Sequence, residues 1–307
     1  MIYALGAFDG FHLGHARLLR KAAERAAEAG TGWGVMTFDG HPRQLLDRDN
    51  FRLLFSQREK DLIAAYLGVP RMEKIAFTHD FAAFSPESFA EYINKTYDVG
   101  GLVIGENFRF GRCRAGTPKI LSEICAARGW TLDVVPRYSF DGMTVSSTET
   151  RRAVALGEMS LAAKMLGYPF IISGVVTEGD GRGRKLGFPT ANIPVSRGKI
   201  YPPEGVYSAL VHTGGAWLPC ALNIGSNPTF EGEREIRCEA HVIGAEEDFY
   251  GRELLIFITT RVRGEIKFGE SEGLVAQMKK DVEACRAETK EYMKKNAGTM
   301  EKFAAVL

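Results

Sequence analysis

Short apolar runs and amphipathic stretches alternate through the first 137 residues. Residues 3–8 form an apolar run that ends at Asp9-Gly10 and predicts a strand. A helical pattern follows, with Leu18, Leu19, Ala22, Ala23 and Ala26 on one side and Arg20, Glu24, Arg25 and Glu28 on the other, stopped at Gly30. Residues 35–38, 102–104 and 131–135 predict further strands, and residues 57–67, 86–96 and 120–128 predict helices. Short apolar strands separated by helices imply an α/β unit with a parallel sheet and with function at the carboxyl ends of its strands.

Residues 146–167 read as two short helices. Ser146-Ser147-Thr148-Glu149 fits a capping box, in which a hydroxyl and a carboxylate satisfy the first free amides of a helix. The second helix starts near Ser160 and ends at Gly167, with Pro169 just beyond, and the domain boundary is placed there, giving domains 1–167 and 168–307. From Phe170 the rhythm changes. Residues 171–177, 207–212, 217–224, 236–243 and 254–262 are short runs rich in β-formers, separated by Gly, Pro and acidic turn residues. They predict an all-β unit, a small closed barrel, because closure removes exposed edges. A last helix over residues 271–295 carries Leu274, Val275, Met278, Val282 and Cys285 on one face and is expected to lie on the barrel.

Composition narrows the field without choosing a function. At roughly 150 residues per domain, 307 residues agree with two domains. Lys plus Arg total 39 against 38 Asp plus Glu, a net charge of +1, which argues against a partner that is nucleic acid or anionic membrane. No basic, apolar leader opens the chain, no run approaches a membrane span, and the five cysteines include no CxxC pair. These features predict reduced thiols and a cytoplasmic location. Glycine stands out at 34 residues, about 11% against a usual ~7%, so the chain needs backbone freedom somewhere.

Two constellations carry chemistry. In the first, Phe8-Asp9-Gly10-Phe11-His12-Leu13-Gly14-His15 sits where the first strand meets the first helix. The spacing of His12 and His15 puts both imidazoles on one side of a first helical turn. The helix end offers free amides and partial positive charge to phosphate, and Gly10 and Gly14 let backbone approach a ligand. The pair suits attack on the α-phosphate of a nucleoside triphosphate with expulsion of pyrophosphate. Neither GxGxxG nor GxxxxGK[ST] is present. A metal site using His41 has no supporting spacing, and purely structural histidines are the remaining alternative. Asn107 can offer its amide to a polar ring edge or a phosphate, Phe108 or Phe110 can stack on a flat ring, and Arg109, Arg112 and Arg114 make a cationic loop. Ser147 and Arg151, at a capped helix start, can hold a triphosphate, capping alone being the other role for the serine.

The second constellation, residues 179–192, packs four glycines into nine residues (Gly179, Gly181, Gly183, Gly187) and then runs into Pro189-Thr190-Ala191-Asn192. Such glycines let successive backbone amides converge on phosphate, and the Thr190 hydroxyl is a hard oxygen donor suited to Mg²⁺.

HxGH after a strand and an apolar-Phe-Asp-Gly turn resembles the nucleotidylyltransferase superfamily. The whole chain resembles the bacterial bifunctional riboflavin kinase/FAD synthetase family. Thr37-Phe38-Asp39-Gly40-His41-Pro42, Gly105-Glu106-Asn107-Phe108-Arg109-Phe110-Gly111 and Ser146-Ser147-Thr148-Glu149-Thr150-Arg151 follow in family order. So do Gly183-Arg184-Lys185-Leu186-Gly187-Phe188-Pro189-Thr190-Ala191-Asn192, Pro203-Glu204-Gly205-Val206-Tyr207, the stretch from Asn223 to Phe230, and Asp248-Phe249-Tyr250-Gly251. Gly40 and Thr150 depart from the family's usual residues without removing a phosphate donor, and Gly244 stands where the family often has an acidic residue, a departure that bears on the lining of the flavin site. The resemblance implies a Rossmann-like HxGH α/β domain followed by a riboflavin kinase barrel and a C-terminal helix. It also implies riboflavin, FMN and ATP as substrates, and Mg²⁺ held with Thr190 and Asn192. Glu239 falls at the family's position for the base that serves the flavin's ribityl 5′-hydroxyl. Two other readings stand beside this one: a single-activity FAD synthetase with an inactive flavin-holding barrel, and a non-catalytic flavin-sensing module.

Overall fold

The computed structural model describes residues 1–46, 51–179, 181–228, 234–245 and 247–307. These fall into two compact units, Met1–Leu53 with Lys60–Glu149, and Leu54–Glu59 with Thr150–Leu307.

In the first unit, β1 (Ile2–Leu5), β2 (Trp33–Asp39), β3 (Met72–Ala76), β4 (Gly101–Gly105) and β5 (Thr131–Val135) form one parallel sheet in the order β3-β2-β1-β4-β5. Strands buried on both faces read as continuous apolar runs, and all four residues of β1 are buried. The edge strand β3 was not anticipated: only Ile75 of its five residues is buried, so it lacks the apolar signature of its neighbours. α1 (Leu13–Glu28) turns Leu18, Leu19, Ala22 and Ala26 inward. Between strands lie α2 (Pro42–Leu46), α3 (Gln57–Tyr66), α4 (His79–Ala82), α5 (Pro86–Thr96) and α6 (Pro118–Arg128); a hairpin of β6 (Ser139–Phe140) and β7 (Met143–Thr144) follows β5. The order places β1 beside β4 where the chain switches direction across the sheet, the position at which open α/β sheets leave a crevice for ligand.

The apolar run over residues 3–8 does not continue as strand. β1 ends at Leu5, and Phe8 and Phe11 are fully buried with left-handed φ of 46° and 38°. Their rings stack with centroids 5.2 Å apart. The run is apolar because the turn is pinned into the core, not because it is extended.

α7 (Ser147–Leu156) and α8 (Met159–Leu166) lead to the second sheet, with Glu149 N–H donating to Ser146 Oγ at the start of α7 as the capping box requires. β8 (Phe170–Val175), β9 (Ala191–Ile193), β10 (Gly205–His212), β11 (Trp217–Pro228), β12 (Arg234–Val242) and β13 (Glu253–Gly264) form an antiparallel sheet in the order β8-β13-β10-β11-β12-β9, with the short α9 (Arg182–Lys185) between β8 and β9. Thr177 N–H donates to Asn192 O at 2.9 Å, a bridge that brings the two edges together and closes the barrel. α10 (Ser271–Lys295) runs as expected and packs Cys285 against Val206 and Ile243 of the barrel, and a further helix, α11 (Ala297–Ala304), ends the fold.

The second unit also takes in a segment from early in the chain. Phe55 stacks on Phe170 at 5.1 Å, and the Lys199 ammonium donates to Glu59 Oε1 at 2.6 Å and to Ile171 O at 2.7 Å. Both charged side chains are 1% exposed. Glu59 also accepts from the Ser173 and Ser56 backbone N–H groups at 2.9 and 2.8 Å, so its carboxylate is well satisfied. Removing one partner of such a pair strands a buried charge. Glu59→Gln is expected to destabilise this unit by about 3–5 kcal/mol in urea unfolding, and Glu59→Leu with Lys199→Met to recover most of that loss.

Candidate active sites

In the first unit the turn after β1 delivers His12 to the N-cap of α1. His12 Nδ1 accepts the His15 N–H at 3.3 Å, and the two rings lie nearly parallel with centroids 3.7 Å apart. Because Nδ1 is the acceptor, the neutral His12 ring carries its proton on Nε2 and can donate it outward. His15 is packed against Phe8 at 4.9 Å, and its Nδ1 is buried without a hydrogen-bond partner. Burial, the His12 ring and Lys60 hold its pKa well below the ordinary imidazole value, so it stays neutral at pH 7. His15 therefore offers an N–H donor rather than a cation.

Gly10 adopts φ 95° within this turn. Gly14 underlies His12, where a Cβ would lie 3.0 Å from His12 Cε1. Ser147 Oγ donates to Asp9 O at 2.7 Å and so ties the start of α7 to the same turn. Arg151 follows one turn later on α7 and groups with the second unit. Asn107 is exposed just past β4 with its Oδ1 lying over Gly105. Phe110 sits in the core between Phe89 at 5.1 Å and Phe108 at 5.6 Å, which leaves the half-buried Phe108 as the outer ring of the two. Arg109, Arg112 and Arg114 are exposed on the following loop.

The second site is organised by strand register. Asn192 of β9 is the cross-strand partner of Glu239 of β12, and Glu239 is the partner of Asn223 of β11. The rows on either side are Ile193, Cys238 and Ile224, and Ala191, Ala240 and Leu222, all buried. Because side chains alternate along a strand, Asn192, Glu239 and Asn223 share the opposite face of the sheet. None of these three side chains, nor the half-buried Thr190 hydroxyl, has a hydrogen-bond or ion-pair partner among the described residues.

The glycine loop folds against this row. Gly179 lies under the Asn192 amide, where a Cβ would stand 1.9 Å from Nδ2. Gly183 lies beneath Phe188 O, and both the Leu186 and Phe188 N–H groups donate to Gly183 O, at 3.0 and 2.9 Å. Gly181 and Gly187 take left-handed φ of 65° and 84° at the two ends of α9. Pro189 O meets His241 Nδ1 at 2.8 Å, anchoring the loop beside Thr190. Asp180, and Thr229 and Phe230 at the end of the motif begun by Asn223, lie outside the described residues. Gly179→Ala is expected to displace the Asn192 amide. If that amide belongs to the site, chemistry there falls by about 10²-fold while the first unit's is untouched; flavin chromatography reads both.

For Mg²⁺ the donor set fits. The Thr190 hydroxyl and the Asn192 amide carry hard oxygen donors beside the glycine-rich loop, and Mg²⁺ characteristically completes its shell with phosphate oxygens and water.

The burial of Asp9 and Lys60 and the placement of Asn223 were not legible in the sequence. Asp9 and Lys60 are 1% and 5% exposed. Lys60 belongs to the run Arg58-Glu59-Lys60-Asp61, whose charge reads as a solvated helix face. Asn223 stood within a motif, but only the register with Glu239 gives it a place.

Comparison with known proteins divides the chain in the same way. The FAD synthetase family matches residues 1–149 and the riboflavin kinase family residues 166–289. A bifunctional riboflavin kinase/FMN adenylyltransferase of Listeria monocytogenes is 34% identical over 288 residues, covering 93% of this chain and 91% of that protein. Those of Escherichia coli K12 and Bacillus subtilis are 34% and 33% identical, each covering 91% of this chain and 90% of the relative. A solved structure from Streptococcus pneumoniae, described as a macrolide-efflux protein, superposes with a TM-score of 0.84 at 30% identity and 93% coverage of both chains. Among the described residues here, no helix is long and apolar enough to cross a membrane.

Proposed function

The chain belongs to the bifunctional riboflavin kinase/FMN adenylyltransferase family, and from that premise we propose how its two activities are divided among its residues. The chain phosphorylates riboflavin to FMN and joins AMP from ATP to FMN to give FAD. The adenylylation is assigned to residues 1–167 and the kinase to residues 168–307, in a cytoplasmic protein. The observation that carries the assignment is that each family-matched unit holds its own polar constellation, the stacked His12–His15 pair in one and the Asn192–Glu239–Asn223 row in the other.

In the kinase step Glu239 accepts the proton of the ribityl 5′-hydroxyl as that oxygen attacks the γ-phosphorus of ATP, the bond to the β,γ-bridging oxygen breaks and ADP leaves. The amides around Gly179, Gly181, Gly183 and Gly187 receive the phosphates, and Thr190 with Asn192 would hold Mg²⁺, which would neutralise phosphate charge. Phosphoryl transfer asks mainly for positioning and charge stabilisation, so this set suffices. In the adenylylation step the FMN phosphate attacks the α-phosphorus of a second ATP and pyrophosphate leaves. His12 and His15 donate N–H bonds to phosphate oxygens as charge builds, at a helix N-terminus that favours anions. Gly10 and Gly14 admit the phosphates to the backbone, while Ser147 and Arg151 hold the triphosphate. Asn107 and Phe108, backed by Phe110, face the flavin. The nucleophile is the substrate's own phosphate, so no covalent enzyme intermediate is formed.

The test is incubation with riboflavin, ATP and Mg²⁺ followed by chromatographic separation of the flavins. FMN is expected to rise first and FAD to follow. Riboflavin left unchanged while supplied FMN becomes FAD indicates a synthetase with an inactive barrel, and bound flavin that never turns over indicates a sensing module.

A further inference from the structure

Lys60 stands in the first turn of α3 with 5% of its surface exposed, and no hydrogen-bond or ion-pair partner of its ammonium lies among the described residues. Buried lysines are as a rule paired, because an isolated ammonium away from water costs several kcal/mol. The charged groups acting on Lys60 are Asp9, Asp61, Lys74 and Asp39, and Lys60 in turn acts on His15. Asp9 lies in the turn beyond β1 and Asp39 is the last residue of β2. The charged groups that act on Lys60 thus include Asp9 and Asp39, at the carboxyl ends of β1 and β2, the end at which an open α/β sheet receives its ligand.

A triphosphate brings several negative charges to this position. Arg151 is assigned one cation's share of this charge, while the neutral His15 ring gives no net charge and a helix N-terminus only about half a unit. A buried cation without a protein partner supplies what these lack. We propose that Lys60 is a phosphate-binding residue of the adenylylation site, its ammonium taking an oxygen of the part of ATP that departs as pyrophosphate. The proposal rests on the assignment of FMN adenylylation to this unit. Asp9, Asp61 and Asp39 favour the charged form of the lysine without pairing with it, and Lys60 then becomes the charged partner of the phosphate chain. Burial pulls its pKa down, so pairing with phosphate is also what best retains its proton.

Pyrophosphate is the probe, because the reverse reaction, FAD plus pyrophosphate to FMN plus ATP, uses it at this site and not at the kinase site. In the full-length chain, Lys60→Gln is expected to raise the KM for pyrophosphate about ten- to hundredfold. The KM for FAD should stay within twofold and riboflavin phosphorylation should be unchanged. Lys60→Arg, which keeps the charge, should restore at least part of the pyrophosphate affinity. If Lys60→Gln does not fold, Asp9→Asn with Lys60→Gln removes both buried charges, and the same rise in KM is expected. A wild-type KM for pyrophosphate in either variant overturns the proposal and leaves Lys60 as a counter-ion to Asp9 and Asp39. Wild-type protein that never converts FMN to FAD overturns the assignment of the site itself, a separate outcome.

Discussion

Glu239→Gln should stop riboflavin phosphorylation while leaving FMN adenylylation close to its original rate. The substitution keeps the size and planarity of the side chain and removes only its ability to take a proton. A positioned general base contributes typically about 10²–10⁴-fold, and a loss in that range in kcat is expected, with little change in the KM for riboflavin. The register predicts why the effect should stay local. Glu239 lies between Asn192 and Asn223 on the face opposite the buried row of Cys238, so the change reaches the site without entering the core. Single-turnover chromatography with riboflavin, and separately with FMN, reads both activities from one preparation. Equal loss of both would mean that the two reactions do not occupy separate units.

Replacing His12 and His15 should do the reverse and let FMN accumulate. In the proposed assignment each ring donates an N–H to charge that develops on phosphate, and removing one donor of this kind costs about 10²–10³-fold. The two losses should not add, because the rings stack at 3.7 Å and His12 Nδ1 holds the His15 backbone N–H. His12→Asn is the milder test, since asparagine is a good N-cap and preserves the helix start. His15→Asn leaves the cap intact and is expected to cost the more in stability, because the ring packs on Phe8 in the buried turn. With riboflavin as substrate, the expected trace for either variant ends at FMN. A variant that still forms FAD at the wild-type rate would remove the histidine pair from the chemistry.

How much of this was legible beforehand depends on how local each signal is. The strand–turn–helix carrying His12 and His15 could be read because alternation, a glycine turn and helical spacing all lie within about two dozen residues. The late β-rich segment and its long last helix were legible for the same reason. β9 was not: three residues following a proline and a glycine loop carry no period, yet it is the strand that closes the barrel and sets Asn192 beside Glu239. β3 was hidden because an edge strand has a neighbour on one side only and needs few apolar residues. The membership of Leu54–Glu59 in the second unit was invisible, since the partners of Glu59 are Lys199 and Ser173, far away in sequence. The burial of Lys60 and Asp9 was hidden by the same long-range effect. Charge in a sequence reads as surface until a fold buries it.

The central claim is that one chain puts two different phosphorus atoms into FAD, each from a different position of ATP. Riboflavin is incubated with the protein and Mg²⁺, once with γ-labelled and once with α-labelled ATP, and the FAD is isolated. Equal incorporation of both labels, one of each per FAD, is the predicted result. FMN should carry the γ label alone. Failure of the γ label to enter FMN, or FAD labelled from only one position, would contradict the account.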